Sequence, residues 1–365
     1  MNYTVADIAV GFACKCGQCR RNCCGGWPVT ISRQEYERIR QAECPEEYRE
    51  KLREALHLNF APDDTRYAHI VHDRQGKCIL LTEEGLCSLQ LQLGEEILPA
   101  VCRLYPRNRR EVCSVPECAL SFSCEAVTER LLASREPLRF TRLEIGEAPL
   151  FPIDMREDRY ARCQRALEHM ADRSRPIADR FALLGRELFP GLGAEGEEST
   201  PADAVRLLHQ LAVASSGKTK VAGRLCMEAL SFFGFPGKDR LSGREAEDLS
   251  RRYTEAASRL FGSVPGLEDY EERLLVNHMF YNNFPHVGGT DDGERAFYSL
   301  CTIFGFVKFI LAGNLNRIGS REDAADVISE LGRLIEHSEF KYIAAQYYRK
   351  QADFSPRCWE ALTRM

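Results

Sequence analysis

The chain has no surplus of positive charge: 49 Lys and Arg stand against 54 Asp and Glu, a net −5 over 365 residues. That balance gives no global reason to expect nucleic acid or an anionic membrane as a partner. Long apolar runs are missing too. The most apolar stretch, Ile303 to Leu311, is interrupted by Lys308 and is too short to span a bilayer. Met1 to Val10 lacks a basic start and carries Asp7, unlike a secretory signal. No internal repeat or long low-complexity tract is present. A glycine-rich strand-to-helix turn of the dinucleotide-binding kind is also absent, which argues against a doubly wound sheet. These absences predict a cytoplasmic protein with reduced thiols, where clustered cysteines more often bind metal or do redox chemistry than form disulfides.

Cysteine is what the chain has in excess. Cys14 to Cys24 holds five in eleven residues, and twelve of the 16 fall by Cys124. An ordinary core uses cysteine sparingly as a small apolar filler, so this density reads as a thiolate cage for a metal ion or an iron–sulfur cluster. Zinc takes four ligands in a closed tetrahedron, and clusters also take thiolates. Twelve cysteines exceed one site, so some are filler or there are two sites. Cys23 and Cys24 are adjacent. In extended backbone their side chains point to opposite faces, which favours two sites, or one ligand and one buried thiol. Lys15, Arg20, Arg21, Arg103, Arg107, Arg109 and Arg110 crowd the same region. They would stabilise an anionic thiolate centre, grip a small carboxylate through bidentate bonds, or, for Arg109 and Arg110 equally, form a solvated face.

Along the chain the cysteine gradient places a boundary between Leu132 and Phe151. The expected fold is mostly α, with a small cysteine-rich α+β metal-binding lobe (1–140) packed on a larger all-helical domain (141–365). In the lobe, Val29 to Ile31 reads as a strand and Ser32-Arg-Gln-Glu35 as a capping box, with Pro45 as an interruption. Cys78 to Ser88 reads as a hairpin turning at Glu83-Glu84-Gly85, followed by a short helix from Ser88. Beyond the boundary, apolar residues recur three and four apart in Tyr160–Met170, Ala204–Ala214, Leu225–Phe233, Ala256–Phe261, Leu274–Phe284 and Phe297–Leu311. Thr200-Pro201 caps one of these helices, and Gly191 to Ser199 reads as a surface loop. Ser216-Gly-Lys-Thr219 lacks the upstream glycine of a phosphate loop and reads as a helix-flanking turn.

Phe12-Ala-Cys14, Cys19, Cys23-Cys24 and Gly26-Trp27 together resemble the opening signature of the flagellin lysine-N-methylases. The likeness continues through Gly76-Lys-Cys78, Gly85-Leu-Cys87-Ser-Leu-Gln90, Leu98 to Cys102, Tyr105-Pro106-Arg107 and Leu120-Ser-Phe-Ser-Cys124. It reappears in Leu267-Glu-Asp-Tyr270, Asn277, Phe284-Pro285 and Arg333-Leu-Ile-Glu-His337. Its amino-terminal module is similar to small zinc- or iron-chelating domains. The resemblance implies methyl transfer from S-adenosylmethionine to the ε-amine of surface lysines on flagellin, in the setting of the bacterial flagellum. It also implies dependence on a four-iron (4Fe-4S) cluster. The candidate metal ligands are Cys14, Cys19, Cys23, Cys24, Cys78, Cys87, Cys102 and Cys124. Cys16, Cys113 and Cys118 depart from the family pattern, and Cys16 stands in for Cys14 in one reading.

Methylating a lysine requires its amine to be neutral, although the usual pKa is near 10.4, and an in-line approach to the methyl carbon. Tyr270, His278, Tyr281 and His337, each on an expected helix, are the candidate contributors; the alternative for each is a satisfied core or surface side chain. Arg103 and Arg107 are the candidate cofactor-binding residues, neutralising charge beside an open iron that ligates the cofactor. Cys16, Cys19 and Cys23 give gaps of two then three, the reverse of the spacing in radical enzymes that cleave the same cofactor. The reading from another class is a zinc-stapled binding module that docks a partner without catalysis.

Overall fold

The computed structural model describes residues 1–365 except 26–28, 147–149, 189–198, 218–219, 287–291, 341 and 346–357. The loop expected at Gly191 to Ser199 lies, but for its last residue, outside the described residues, as do two residues of the turn after Ser216. In chain order the strands are β1 (Asn2–Ala6), β2 (Val29–Ile31), β3 (Leu56–Leu58), β4 (Ala68–Ile70), β5 (Arg107–Val112), β6 (Val115–Leu120), β7 (Phe140–Glu144) and β8 (Phe151–Ile153). The helices are α1 (Arg33–Gln41), α2 (Glu46–Ala55), α3 (Ser88–Leu93), α4 (Ala100–Leu104), α5 (Glu125–Ala133), α6 (Glu157–Ala171), α7 (Ile177–Leu188), α8 (Pro201–Ser216), α9 (Lys220–Phe232), α10 (Gly243–Ser263), α11 (Tyr270–Tyr281), α12 (Gly293–Gly313) and α13 (Arg321–Glu336). A last short helix spans Cys358–Thr363.

Two compact units result. The smaller is Ala13–Pro106; the larger is Met1–Phe12 together with Arg107–Met365. The division thus falls at two places instead of one near 140, because Met1–Phe12 and the residues just past Pro106 pair with each other. The mostly α class is as expected, with a minor β part. The larger unit is not all-helical, however: it carries a five-stranded mixed sheet in the order β7-β1-β6-β5-β8. Strand β1 is parallel to β6 and antiparallel to β7, with Tyr3 opposite Leu143. β5 and β6 form a hairpin whose corner residues, Cys113 and Ser114, both take positive φ.

In the smaller unit, β2, β4 and β3 make an antiparallel sheet with Val29 and Leu56 both opposite Ile70. Helix α1 starts at the capping box. Ser32 Oγ accepts the Glu35 N–H, and the Glu35 carboxylate accepts the Ser32 N–H at 2.8 Å. Its second carboxylate oxygen accepts the Ala100 N–H at 2.7 Å, fixing the start of α4. The core is small: Val29, Ile31, Ile39, Leu52, Leu56, Ile70, Leu80, Leu89 and Leu98 dominate it.

The larger unit buries far more. Each helix expected there forms, and α10 and α12 outrun their expected cores. Helix α12 is long and apolar enough by composition to cross a membrane, but its whole apolar window is buried inside the protein. Gly332 of α13 permits a close approach, since a Cβ there would meet Ser123 Cα at 2.7 Å. That contact brings the end of α13 against the loop after β6.

Candidate functional site

Nine of the twelve early cysteines (14, 16, 19, 23, 24, 44, 78, 87 and 102) lie in the smaller unit, none of them fully buried. Cys16 and Cys19 open and close a single 3-10 turn. That turn rests on the hairpin at Gly85: a Cβ on Gly17 would stand 2.6 Å from the Glu84 carbonyl oxygen, so only glycine fits. The expected hairpin forms, with Leu81 paired to Cys87 and the Thr82 N–H bonded to the Leu86 carbonyl at 2.8 Å. The Cys78 N–H donates to the Cys24 carbonyl at 2.7 Å, tying the Cys-Cys pair to that hairpin.

The thiols respond to one another. Cys24 and Cys23 are hydrogen-bonded through their side chains, which together with burial and the charges of Cys23, Cys78 and Cys87 pushes Cys24 well above the usual thiol range. The chain turns at this pair instead of running extended, so the two side chains do not diverge. Burial, with Cys87 and Cys23 nearby and Lys51 opposing, pushes Cys78 up to about 11. Cys102, an exposed residue, has its thiol raised by desolvation first and then by Cys87, Cys78 and Cys23. Burial raises Cys14, with Cys16 and Cys23 adding to it. Cys23, Cys24, Cys78, Cys87 and Cys102 therefore lie near enough for charge on one to shift another. Among the described residues, no three His, Cys, Asp or Glu side chains stand ready to close around a metal ion. By donor type and number these thiols nonetheless fit a thiophilic centre, which binds thiolates and would displace their protons.

The remaining early cysteines belong to the larger unit. Cys124, expected as a ligand, is the N-cap residue of α5 and packs against that unit's core. Cys118 is buried on β6, and Cys113 sits at the hairpin corner, where its thiol donates to the Met155 carbonyl at 3.0 Å. The two candidate cofactor arginines also part company. Arg103, in the smaller unit, pairs with Glu96 at 2.9 Å. Arg107, on β5, stacks over Phe12 at 5.0 Å and donates to its carbonyl. Arg110 is no solvated face. It is 1% exposed, pairs with buried Glu117 at 2.7 Å, and donates to the carbonyls of Phe280 and Tyr281 at the end of α11. Arg109 donates to the Gly146 carbonyl and lies over Tyr3.

Three of the four candidate catalytic residues meet in the larger unit. His337 Nε2 is 2.8 Å from Ser123 Oγ and 3.2 Å from Ser121 Oγ. Ser121 Oγ donates to Glu336 Oε2 at 2.5 Å, and Glu336 Oε1 lies 3.3 Å from His278 Nδ1. The Tyr281 phenol hydrogen-bonds to Ser121 while burial and the Glu336 charge push it above the ordinary tyrosine range. A continuous set thus runs from exposed His337 to buried His278. Asn277 Nδ2 donates to the Leu120 carbonyl at 2.9 Å, anchoring α11 to the loop. Tyr270 is outside this set; it is fully buried and raised by burial and by Glu271. Ser121, Ser123 and Glu336 were missed as site residues, although each lies in a block that carries the family resemblance.

An ordered chain of hydroxyls, imidazoles and a carboxylate on a helical scaffold defines a protein able to move protons beside an apolar core. Residues 195–352 match the family model described as the FliB lysine N-methylase C-terminal domain. The chain is 21% identical to lysine-N-methylases of Salmonella typhimurium and Salmonella choleraesuis, over 93% of its own length and 92% of theirs. It is 26% identical to the flagellar biosynthetic protein FliU of Salmonella muenchen over 33% of this chain and 71% of that protein. No solved structure matches. The resemblance read from the sequence therefore holds: the chain is similar to the lysine N-methylases through both units.

Proposed function

We propose that the chain transfers methyl groups from S-adenosylmethionine to the ε-amines of surface lysines on flagellin. In this reading the reaction depends on an iron–sulfur cluster of the 4Fe-4S type, with zinc as the alternative, held in the smaller unit. The observation that carries it is the alignment with proteins named lysine-N-methylase over 93% of the chain. The flagellar acceptor is favoured by the likeness to a protein named for flagellar biosynthesis. Cys23, Cys24, Cys78, Cys87 and Cys102 would hold the inorganic centre, with Cys14 and Cys19 beside them in the same unit. Such a centre supplies redox capacity or Lewis acidity when bound.

The chain's own residues have a separate task. The acceptor amine must lose its proton before its lone pair can attack, and a positioned base speeds such steps by 10²–10⁴. His337 takes that proton in this reading, and Ser123, Ser121 and Glu336 hold its ring and compensate the charge it gains. The test is anaerobic purification followed by incubation with methyl-labelled cofactor and flagellin. Label on lysine, with iron and visible absorption in the protein, supports the reading. A colourless zinc protein that binds flagellin without transferring label favours the non-catalytic binding module instead.

A further inference from the structure

A cavity of about 640 Å³ lies within the larger unit, walled by one face of α10, the start of α11, α12 and the C-terminal helix. Its size falls in the range of small-molecule sites, about 300–1,000 Å³. The lining carries both signs of charge: Glu268, Glu271 and Glu360 on one side of the balance, Lys308 and Arg364 on the other. Lys308 and Glu271 pair at 2.8 Å, each about nine-tenths buried, and the ammonium lies over the rings of Phe261 and Phe304. Holding an ion pair this deep costs desolvation that its own attraction hardly repays, so packing alone gives little reason for it. Tyr253 completes the wall. It is 4% exposed, and among the described residues its hydroxyl has no hydrogen-bond partner. Buried hydroxyls without partners are rare and mark a ligand or a water.

We propose that this cavity is the methyl-donor site, built to take an adenosyl sulfonium amino acid. The inference rests on the methyl-transfer reading above and assigns it a place. A donor of this class carries a carboxylate, an ammonium and a sulfonium cation. Lys308 and Arg364 match the first, and the three glutamates the two cationic groups. A lysine side chain alone would need only a narrow channel. Glu271 and His278 also border a common void of about 10 Å³, which sets the cavity wall beside the hydrogen-bonded set running to His337. The donor would thus be held without a glycine-rich strand-to-helix turn.

The probe is S-adenosylhomocysteine, titrated calorimetrically into the full chain. Ser258 lines the cavity from the exposed side of α10, so Ser258→Trp fills it at little cost to folding; Glu271→Gln and Lys308→Met test the ion pair. We expect a loss of at least tenfold in affinity for Ser258→Trp with an unchanged circular dichroism spectrum. Hydrogen exchange across 250–281 should slow when the probe binds the parent chain. If the parent binds the probe and methylates lysine while Ser258→Trp and Glu271→Gln bind equally well, the donor sits elsewhere and the methyl-transfer reading survives. If the parent neither binds the probe nor transfers methyl, that reading fails and this inference falls with it.

Discussion

The two units use the same residue in opposite ways. In the larger unit Cys163, Cys226, Cys301 and Cys358 are buried in the core, and burial is what chiefly pushes their thiols up, Cys163 and Cys226 to about 12, with Cys358 adding to it at Cys301. They behave as small hydrophobes. In the smaller unit Cys102 lies in α4 and the others outside the α-helices and strands, and it is neighbouring thiols, as well as burial, that shift Cys24, Cys78 and Cys102. One unit is held by the extent of its core; the other has a core of few residues and a group of sulfurs that repel when ionised. Small domains with thin cores commonly need a metal or disulfides to be stable. The contrast explains why cysteine content alone is a poor guide and cysteine company a good one.

The sharpest break in this comparison is metal retention. If the proposed inorganic centre is held in the smaller unit, Cys78→Ser and Cys102→Ser should each remove most of its metal and unfold that unit, read by elemental analysis and proteolysis, while Cys226→Ala leaves metal content unchanged. Equal metal loss in all three would erase the distinction. Next is Arg110→Met, which strands the Glu117 carboxylate in the core. It should cost about 3–5 kcal/mol in denaturant unfolding of the larger unit. Gly332→Ala should follow at about 1–3 kcal/mol, because the added methyl must displace Ser123; methyl transfer should fall with it, as the His337 contacts are made there.

The smallest effect belongs to the smaller unit. Burial pushes the Glu35 carboxyl up, but the N–H groups of Ala100 and Ser32 outweigh it and hold the pKa below 4.5. A lowered folded-state value means stabilisation is complete above the ordinary carboxylate range and is lost as pH falls through the depressed pKa. Unfolding of the smaller unit followed from pH 6 down to 3 should therefore show a slope that Glu35→Gln flattens. Ser32→Ala should cost about 1 kcal/mol at neutral pH.

Much of this was legible in the sequence, for identifiable reasons. The capping boxes at Ser32 and Thr200 are local, and so is the Gly85 hairpin. The 3.6-residue period of α8 and α12 reports a deep helical core directly. The five-stranded sheet was not legible. β5 reads Arg-Asn-Arg-Arg-Glu-Val, with no apolar alternation to mark it, and its Arg110 is buried only because Glu117 and the end of α11 meet it. β1 and β6 are joined across more than a hundred residues, which no window of sequence reveals. Within the candidate site, His278, Tyr281 and His337 drew notice by chemical type. Ser121 and Glu336 did not, because a serine or glutamate is ordinary until a close helix packing leaves it hydrogen-bonded out of water.

Strand β1 is an inner strand, flanked by β7 and β6. β1 is therefore paired only once Val115–Leu120 and Phe140–Glu144 have been made, whereas Ala13–Pro106 clusters chiefly with itself. The thiol-bearing unit can thus fold before the rest of the molecule has a sheet to fold around.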